Sequence, residues 1–139
     1  MGPLVKLASL IMPASGRIYN DSVEFGKQFP RHNAEGPGDA ARHAYASARM
    51  AKEYGPMIAK LMGGLHEVTS LGQDRRSQAM DEYNNQIGYG LADLDEASLR
   101  EAILGLLNEG GLKTLPKEVQ VQGYRKGGLI QMKEKQSCR

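Results

Sequence analysis

Apolar residues recur at helical spacing through the middle of the chain and predict four consecutive helices. The first extends from Asp39 to Tyr54, and the others cover about residues 56–72, 77–92 and 95–110. In each of the last three, apolar residues three or four positions apart form one face suited to a common core. These residues are Ile58, Leu61, Met62, Leu65 and Val68, then Met80, Tyr83, Ile87 and Leu91, and finally Leu99, Ile103, Leu106 and Leu107.

Prolines and glycines mark the ends of these helices. The run Gly36-Pro37-Gly38-Asp39 is typical of a helix start, and Gly55-Pro56 ends the first helix and begins the second. Upstream, residues 1–35 contain several more prolines and glycines, which interrupt longer elements. We therefore predict an irregular N-terminal arm with a short helix near residues 21–29.

The pattern changes from helical spacing to alternation near the C-terminus. Valine alternates with glutamine over residues 119–122, a turn-like Arg-Lys-Gly-Gly run follows at 125–128, and apolar residues return at 129–132. Alternation on both sides of a turn predicts a β-hairpin. An isolated hairpin is only marginally stable, so this element needs a partner surface.

The length and composition fit one small soluble domain. The chain has 139 residues, of which 40% are hydrophobic and 24% charged, and it contains no Trp. These values are ordinary for a globular protein. We predict a mainly α fold, a bundle of about four helices, divided into an N-terminal arm (1–35), a helical domain (36–111) and a basic C-terminal extension (112–139).

Charge is unevenly distributed along the chain. The formal net charge is +2, but residues 112–139 contain seven Lys and Arg against two Glu. Such a segment is either a solvated tail or a contact for an anionic partner, such as phosphates or an acidic protein surface. Elsewhere, no apolar run approaches the roughly 20 residues that span a bilayer, so we expect no transmembrane segment. The single cysteine, Cys138, excludes an internal disulfide.

Three predicted helices each place polar side chains where they could meet. On the first and third helices the polar residues stand at positions i, i+3 and i+4, which share one face. On the second, the histidine follows the apolar face toward the core. The residues are Asp39, Arg42 and His43, then His66 and Glu67, and then Asp81, Asn84 and Asn85. Buried polar groups need partners, so these side chains must satisfy each other or a ligand.

A catalytic or metal site is one interpretation of this cluster. His43, His66 and Asp81 would then bind a divalent metal through nitrogen and oxygen. Glu67 or Asp39 would act as the general base or would orient a ligand. The guanidinium of Arg42, the residue before His43, could bind an anionic substrate.

A hydrogen-bonded polar core is the other interpretation. In it Asp39 caps its helix, and Arg42 pairs with Asp81 or Glu67. The two asparagines, Asn84 and Asn85, bond to loop backbone. Such a network specifies one packing without performing chemistry.

The motifs resemble a helical domain of unknown function. The segments 38–45 (Gly-Asp-Ala-Ala-Arg-His-Ala-Tyr), His66-Glu67 and 80–88 (Met-Asp-Glu-Tyr-Asn-Asn-Gln-Ile-Gly) are similar, in that order, to a domain found in phage proteins. The same domain occurs at the C-terminal ends of bacterial RHS-type and wall-associated proteins. The resemblance covers about residues 36–92. It implies a shared fold and shared site positions but no established activity.

Two functions fit these patterns best, and nucleic-acid binding through the basic C-terminal extension is a third, although that segment lacks the interleaved aromatic residues that favour single-strand binding. The first is a phage virion component, internal or tail-associated, that contacts other virion chains through both termini and is found in the virion or the host cytoplasm. The second is a small metal-assisted hydrolase of a phosphodiester, lipid or cell-wall bond. Whether the polar residues converge around an open cleft distinguishes the two.

Overall fold

The computed structural model describes residues 2–32, 35–69 and 72–116, apart from the side chains of residues 4 and 67–69. This part of the chain forms six α-helices and contains no strand. The helices are α1 (Pro3–Ile11), α2 (Pro13–Gly26), α3 (Pro37–Tyr54), α4 (Pro56–Thr69), α5 (Arg75–Tyr89) and α6 (Glu96–Glu109). In the described residues, no helix combines the length and apolar character that a membrane span requires. The prediction of a mainly α fold is confirmed.

The last four helices begin and end where local chemistry dictates. Gly55 separates α3 from α4 at φ 87°, a left-handed conformation that glycine adopts readily. Asp74 and Asp95 cap α5 and α6, and the Asp95 side chain accepts a hydrogen bond from the backbone N–H of Ser98 at 2.8 Å. Gly110 ends α6 in the left-handed region. These four helices correspond to the four that the periodicity predicts.

Helix α3 is the centre of the molecule and packs against α2, α4, α5 and α6. Its buried positions are mostly alanines, which let neighbouring backbones approach closely. The core joins these alanines to larger apolar residues of the surrounding segments, among them Phe25, Leu99, Ile103 and Leu112. The side chain of Tyr45 is fully buried in the same cluster.

The predictions of an irregular N-terminal arm and of about four helices were wrong. Residues 3–26 form α1 and α2 instead. Pro3 and Pro13 lie at the first turns of these helices, where a proline disrupts no intrahelical hydrogen bond. The prolines therefore begin the helices that they seemed to exclude. The division of the chain at residues 35 and 111 stays a prediction, although α2 supplies Phe25 to the core.

The described start of the C-terminal extension is held against the domain. The Asn84 side chain donates to the carbonyl oxygen of Lys113 at 2.9 Å and accepts from its N–H at 2.9 Å. Leu115 donates its N–H to the carbonyl oxygen of Glu35 at 2.7 Å. The predicted β-hairpin lies in residues 117–139, outside the described residues.

Gly88 sets the distance between α3 and α5. A Cβ atom at this position would lie well inside contact distance of the Ala44 carbonyl oxygen and 2.9 Å from the Ser47 Cβ atom. We expect Gly88→Ala to lower the free energy of unfolding by about 1–3 kcal/mol, because the backbone of α3 must shift. Gly105→Ala on α6, where a Cβ atom would meet nothing within 4 Å, is the matched control and should be neutral or slightly stabilising. Urea unfolding of both variants checks the prediction, and equal effects would contradict it.

Candidate functional site

Helices α3 and α5 bring two carboxylates and one imidazole together. Asp39 and His43 lie one turn apart on α3, and Asp81 faces them from α5. The Nε2 atom of His43 is 3.2 Å from Oδ1 of Asp81 and 3.7 Å from Oδ1 of Asp39. One potential ligand atom from each residue lies within 4.8 Å of the other two. All three side chains are largely shielded from solvent.

The hydrogen bond of the other ring nitrogen, Nδ1, determines which nitrogen of His43 is free to face the carboxylates. Its Nδ1 atom lies 3.2 Å from Oδ1 of Asn85, and that oxygen also accepts a hydrogen bond from the Ser47 hydroxyl at 2.9 Å. An amide oxygen only accepts, so Nδ1 carries the proton that His43 donates. A neutral His43 therefore presents the lone pair of Nε2 to two carboxylates. A cation beside Nε2 would therefore be attracted by both carboxylates.

Asp39 is held by partners on both oxygens. Its Oδ1 accepts a hydrogen bond from the Arg42 guanidinium at 2.5 Å, and its Oδ2 accepts the backbone N–H of Glu35 at 3.0 Å. The Glu35 carboxylate in turn accepts a hydrogen bond from the Ser77 hydroxyl of α5. The loop before α3 is thereby tied to α5 beside the site.

Asp81 has one bonded oxygen and one oxygen without a hydrogen bond. Gln73 donates to Oδ2 at 2.7 Å. Oδ1 is buried and has no hydrogen-bond partner among the described residues, although it is close enough to His43 for an ion pair. A buried carboxylate oxygen without a donor is unfavourable unless a cation approaches it. This oxygen points to a ligand position beside Nε2 of His43.

The same burial changes the acidity of Asp81. Desolvation raises the pKa of this carboxyl above its usual range, and the nearby Asp39 carboxylate acts in the same direction. The positive charge of His43, the hydrogen bond from Gln73 and the charge of Arg42 oppose the rise. Two carboxylates close together in a shielded place thus favour binding of positive charge.

The distances from His43 to the two aspartates are close to the spacing between two ligands of one metal ion. Two ligands held at about 2.1 Å from a tetrahedral zinc ion lie about 3.4 Å apart. The observed separations of 3.2 and 3.7 Å from Nε2 to the two carboxylate oxygens bracket this value. Mixed imidazole and carboxylate ligands suit zinc, manganese and related divalent ions. Asp39, His43 and Asp81 are therefore the residues that could hold a cation.

An open cavity of about 220 Å³ begins at His43 and extends between the helices. Polar groups on its wall come from Arg42, His43, His66 and Asn85, and also from Ser15, Tyr19, Ser22, Ser47 and Tyr89. The rest of the lining is apolar and comes from the first four helices, including Val5, Ala8, Ile18, Met50, Ala59 and Met62. The cavity thus reaches the histidine of the cluster, whereas Asp39 and Asp81 lie behind it and do not line the cavity.

His66 lies along this cavity, on the solvent-exposed side of α4. Partial desolvation of the ring lowers its pKa, and the positive charges of His43 and Arg42 lower it further, while Asp81 opposes them. The protein therefore favours a neutral imidazole at this point of the cavity wall.

The predicted residues divide into those that converge and those that do not. Asp39, Arg42, His43, Asp81 and Asn85 meet at one place. Asn84 is instead occupied by the backbone of Lys113. Among the described side chains, the group that could hold a metal consists of Asp39, His43 and Asp81. The sequence suggested His66 as the third ligand with His43 and Asp81, and that role of His66 stays a prediction. The side chain of Glu67 lies outside the described residues.

Sequence reasoning missed three residues that support the site, namely Ser47, Gln73 and Glu35. Ser47 follows His43 by four positions, as the predicted Asn85 follows Asp81, so helical spacing could have indicated the contact between Ser47 and Asn85. Gln73 and Glu35 lie on loops, where no periodicity signals a partner. Their roles appear only once α3, α5 and the loops are packed together.

Comparison with protein families identifies one match. The model of a family described as a domain of unknown function, DUF6973, matches residues 14–110. The matched segment begins in α2 and ends just after α6, so it is longer at both ends than the resemblance over residues 36–92. No solved structure matches the chain.

Proposed function

The chain belongs to the DUF6973 family, whose function is unknown, and from the site itself we propose that it is a metal-assisted hydrolase of a carboxylic ester in a lipid-like substrate. One observation carries the proposal. The Nε2 atom of His43, a residue of the cavity wall, lies 3.2 Å from the Oδ1 atom of Asp81, which has no hydrogen-bond partner among the described residues. A divalent cation held between them would offset the negative charge of Asp81 and of the nearby Asp39.

The lining of the cavity favours a lipid-like substrate over the two other substrate classes that the sequence left open, which are phosphodiesters and cell-wall polymers. Its apolar wall fits an acyl chain, whereas a sugar or a nucleotide would need many more polar groups. The Arg42 guanidinium on the same wall suits a phosphate or another anionic head group. The proposed substrate is therefore an amphiphile with an apolar tail and an anionic head.

The proposed reaction is hydrolysis by a metal-bound water. A cation held by Asp39, His43 and Asp81 would lower the pKa of a water molecule, and the neutral His66 imidazole on the cavity wall would accept the proton that this water loses as its oxygen adds to the ester carbonyl carbon. The carbon–oxygen bond to the alcohol then breaks, and His66 returns the same proton to the departing oxygen. The products are a carboxylate and an alcohol. One water molecule is consumed, and no further reactant is required.

Metal binding is expected to stabilise the folded chain. We expect zinc or manganese to raise the melting temperature relative to a chelator, because a ligand of the folded state adds about 2.7 kcal/mol at about a hundred times its Kd. Asp81→Asn should abolish the rise, since it removes a charged ligand. Asp93→Asn, which changes an exposed carboxylate after α5, should leave the rise intact. If zinc, manganese and calcium all leave the wild-type transition unchanged, the metal site is wrong.

The virion role predicted from the sequence stays a prediction. It rests on the resemblance to phage proteins and on the basic C-terminal extension, and it is compatible with the hydrolase if an enzyme is carried in a particle. Copurification of the chain with assembled particles tests it independently of any activity.

A further inference from the structure

Exposed apolar side chains are concentrated on two helices. The described residues contain eight large hydrophobic side chains that are exposed to solvent, and all except Leu104 belong to α1 or α4. Those on α1 are Leu7, Leu10 and Ile11, and those on α4 are Met57, Ile58, Leu61 and Leu65. Scattered single leucines are normal on a protein surface, but exposed apolar residues concentrated on two helices that line the same cavity indicate a binding surface.

The same two helices form walls of the cavity. Helix α1 contributes Val5 and Ala8, one turn apart, and α4 contributes Ala59, Met62 and His66 at helical spacing. The exposed residues lie on the solvent-facing sides of the same helices. Both helices are therefore apolar toward the cavity and apolar toward solvent, which exceeds what packing inside the domain requires.

The charges near the exposed apolar residues of these helices are positive, whereas the one acidic residue of the two helices, Glu67, lies near the end of α4. Lys6 is the only charged residue of α1, and Lys60 is the only charged residue in the first ten positions of α4. Both side chains are exposed. An apolar helix face flanked by lysine is typical of helices that lie in the interface of an anionic membrane.

We propose that the outer faces of α1 and α4 form a docking surface for anionic lipid aggregates. We call this surface, defined by Leu7, Leu10, Ile11, Met57, Ile58, Leu61 and Leu65 with Lys6 and Lys60, the lipid-docking surface. The apolar residues enter the acyl region, and the lysines contact anionic head groups. The inference deepens the proposed function, because docking places the helices that line the cavity against the layer from which an acyl chain is drawn.

Vesicle binding tests the surface without any turnover. The full chain, treated with a chelator, is sedimented with vesicles of phosphatidylcholine alone or with added phosphatidylglycerol. We expect wild type to bind the anionic vesicles and Leu10→Asp with Leu61→Asp to bind at least about tenfold more weakly. The side chains of Leu10 and Leu61 are 81% and 59% exposed, so the fold should tolerate the change. Leu104→Asp is the matched control on α6 and should bind like wild type.

A tryptophan reporter keeps the test decisive if the double variant misfolds. The chain contains no Trp, so Leu10→Trp introduces a single fluorophore on the docking surface, and Leu104→Trp is its control. A blue shift on anionic vesicles for Leu10→Trp alone supports the proposal. Equal binding of the double variant and wild type, or no shift for Leu10→Trp, overturns it. So does a dimer that forms through these leucines without lipid binding.

The two proposals fail in different ways. If the wild-type chain does not bind vesicles but hydrolyses a soluble short-chain ester, the docking surface is rejected and the hydrolase is retained. Vesicle binding without hydrolysis of any ester would retain the docking surface and reject the hydrolase.

Discussion

Replacing Asp81 by Asn is expected to reduce ester hydrolysis about a thousandfold while the chain stays folded. The substitution preserves the shape of the side chain but removes the negative charge at the oxygen that faces Nε2 of His43. Without that charge, a cation at the proposed position loses one of its ligands and the bound water loses its activation. Hydrolysis of long-chain and short-chain esters by the zinc-loaded or manganese-loaded full chain gives the measurement, with circular dichroism as the test of folding.

Two controls make this result interpretable. Asp93→Asn removes an exposed carboxylate after α5 and should retain full activity. Wild type should prefer the longer acyl chain, because the cavity wall is largely apolar. Activity of Asp81→Asn equal to that of wild type would reject Asp81 as a metal ligand. Absence of activity in wild type on every ester would reject the hydrolase itself.

Replacing Phe25 by Ala is expected to lower the free energy of unfolding by about 3–5 kcal/mol. Phe25 is 3% exposed and packs against Tyr45 and Phe29, with ring centroids 5.1 and 5.3 Å away. The Arg100 guanidinium also lies 5.0 Å from the centre of its ring. Removal of the ring leaves a void between α2 and α3 that the surrounding helices fill only in part.

Urea unfolding of the variant measures this effect. Leu10→Ala is the matched control, because the exposed Leu10 side chain should contribute no more than about 0.5 kcal/mol. A change below about 1 kcal/mol in Phe25→Ala would mean that α2 is a dispensable arm. The predicted boundary at residue 35 would then describe the chain correctly.

The family resemblance and the polar motifs were accessible from the sequence because both depend on short stretches of chain. The order of three motifs on three helices indicated a domain of unknown function, and the family match confirms this. The association with phage particles is a property of assemblies and stays a prediction. The N-terminal segment misled the sequence analysis because a proline that begins a helix cannot be distinguished locally from one that interrupts it.

The sequence by itself determined the last four helices and the shared face of Asp39 and His43. Helical spacing and helix caps are local, so neighbouring residues suffice to specify them. Only the tertiary structure showed that ligand atoms of Asp39, His43 and Asp81 lie within 4.8 Å of one another. That proximity depends on how closely α3 approaches α5, which the contact of Gly88 with Ala44 sets. The apolar surface shared by α1 and α4 is likewise a result of packing, because exposure depends on which helix faces the rest of the chain leaves uncovered.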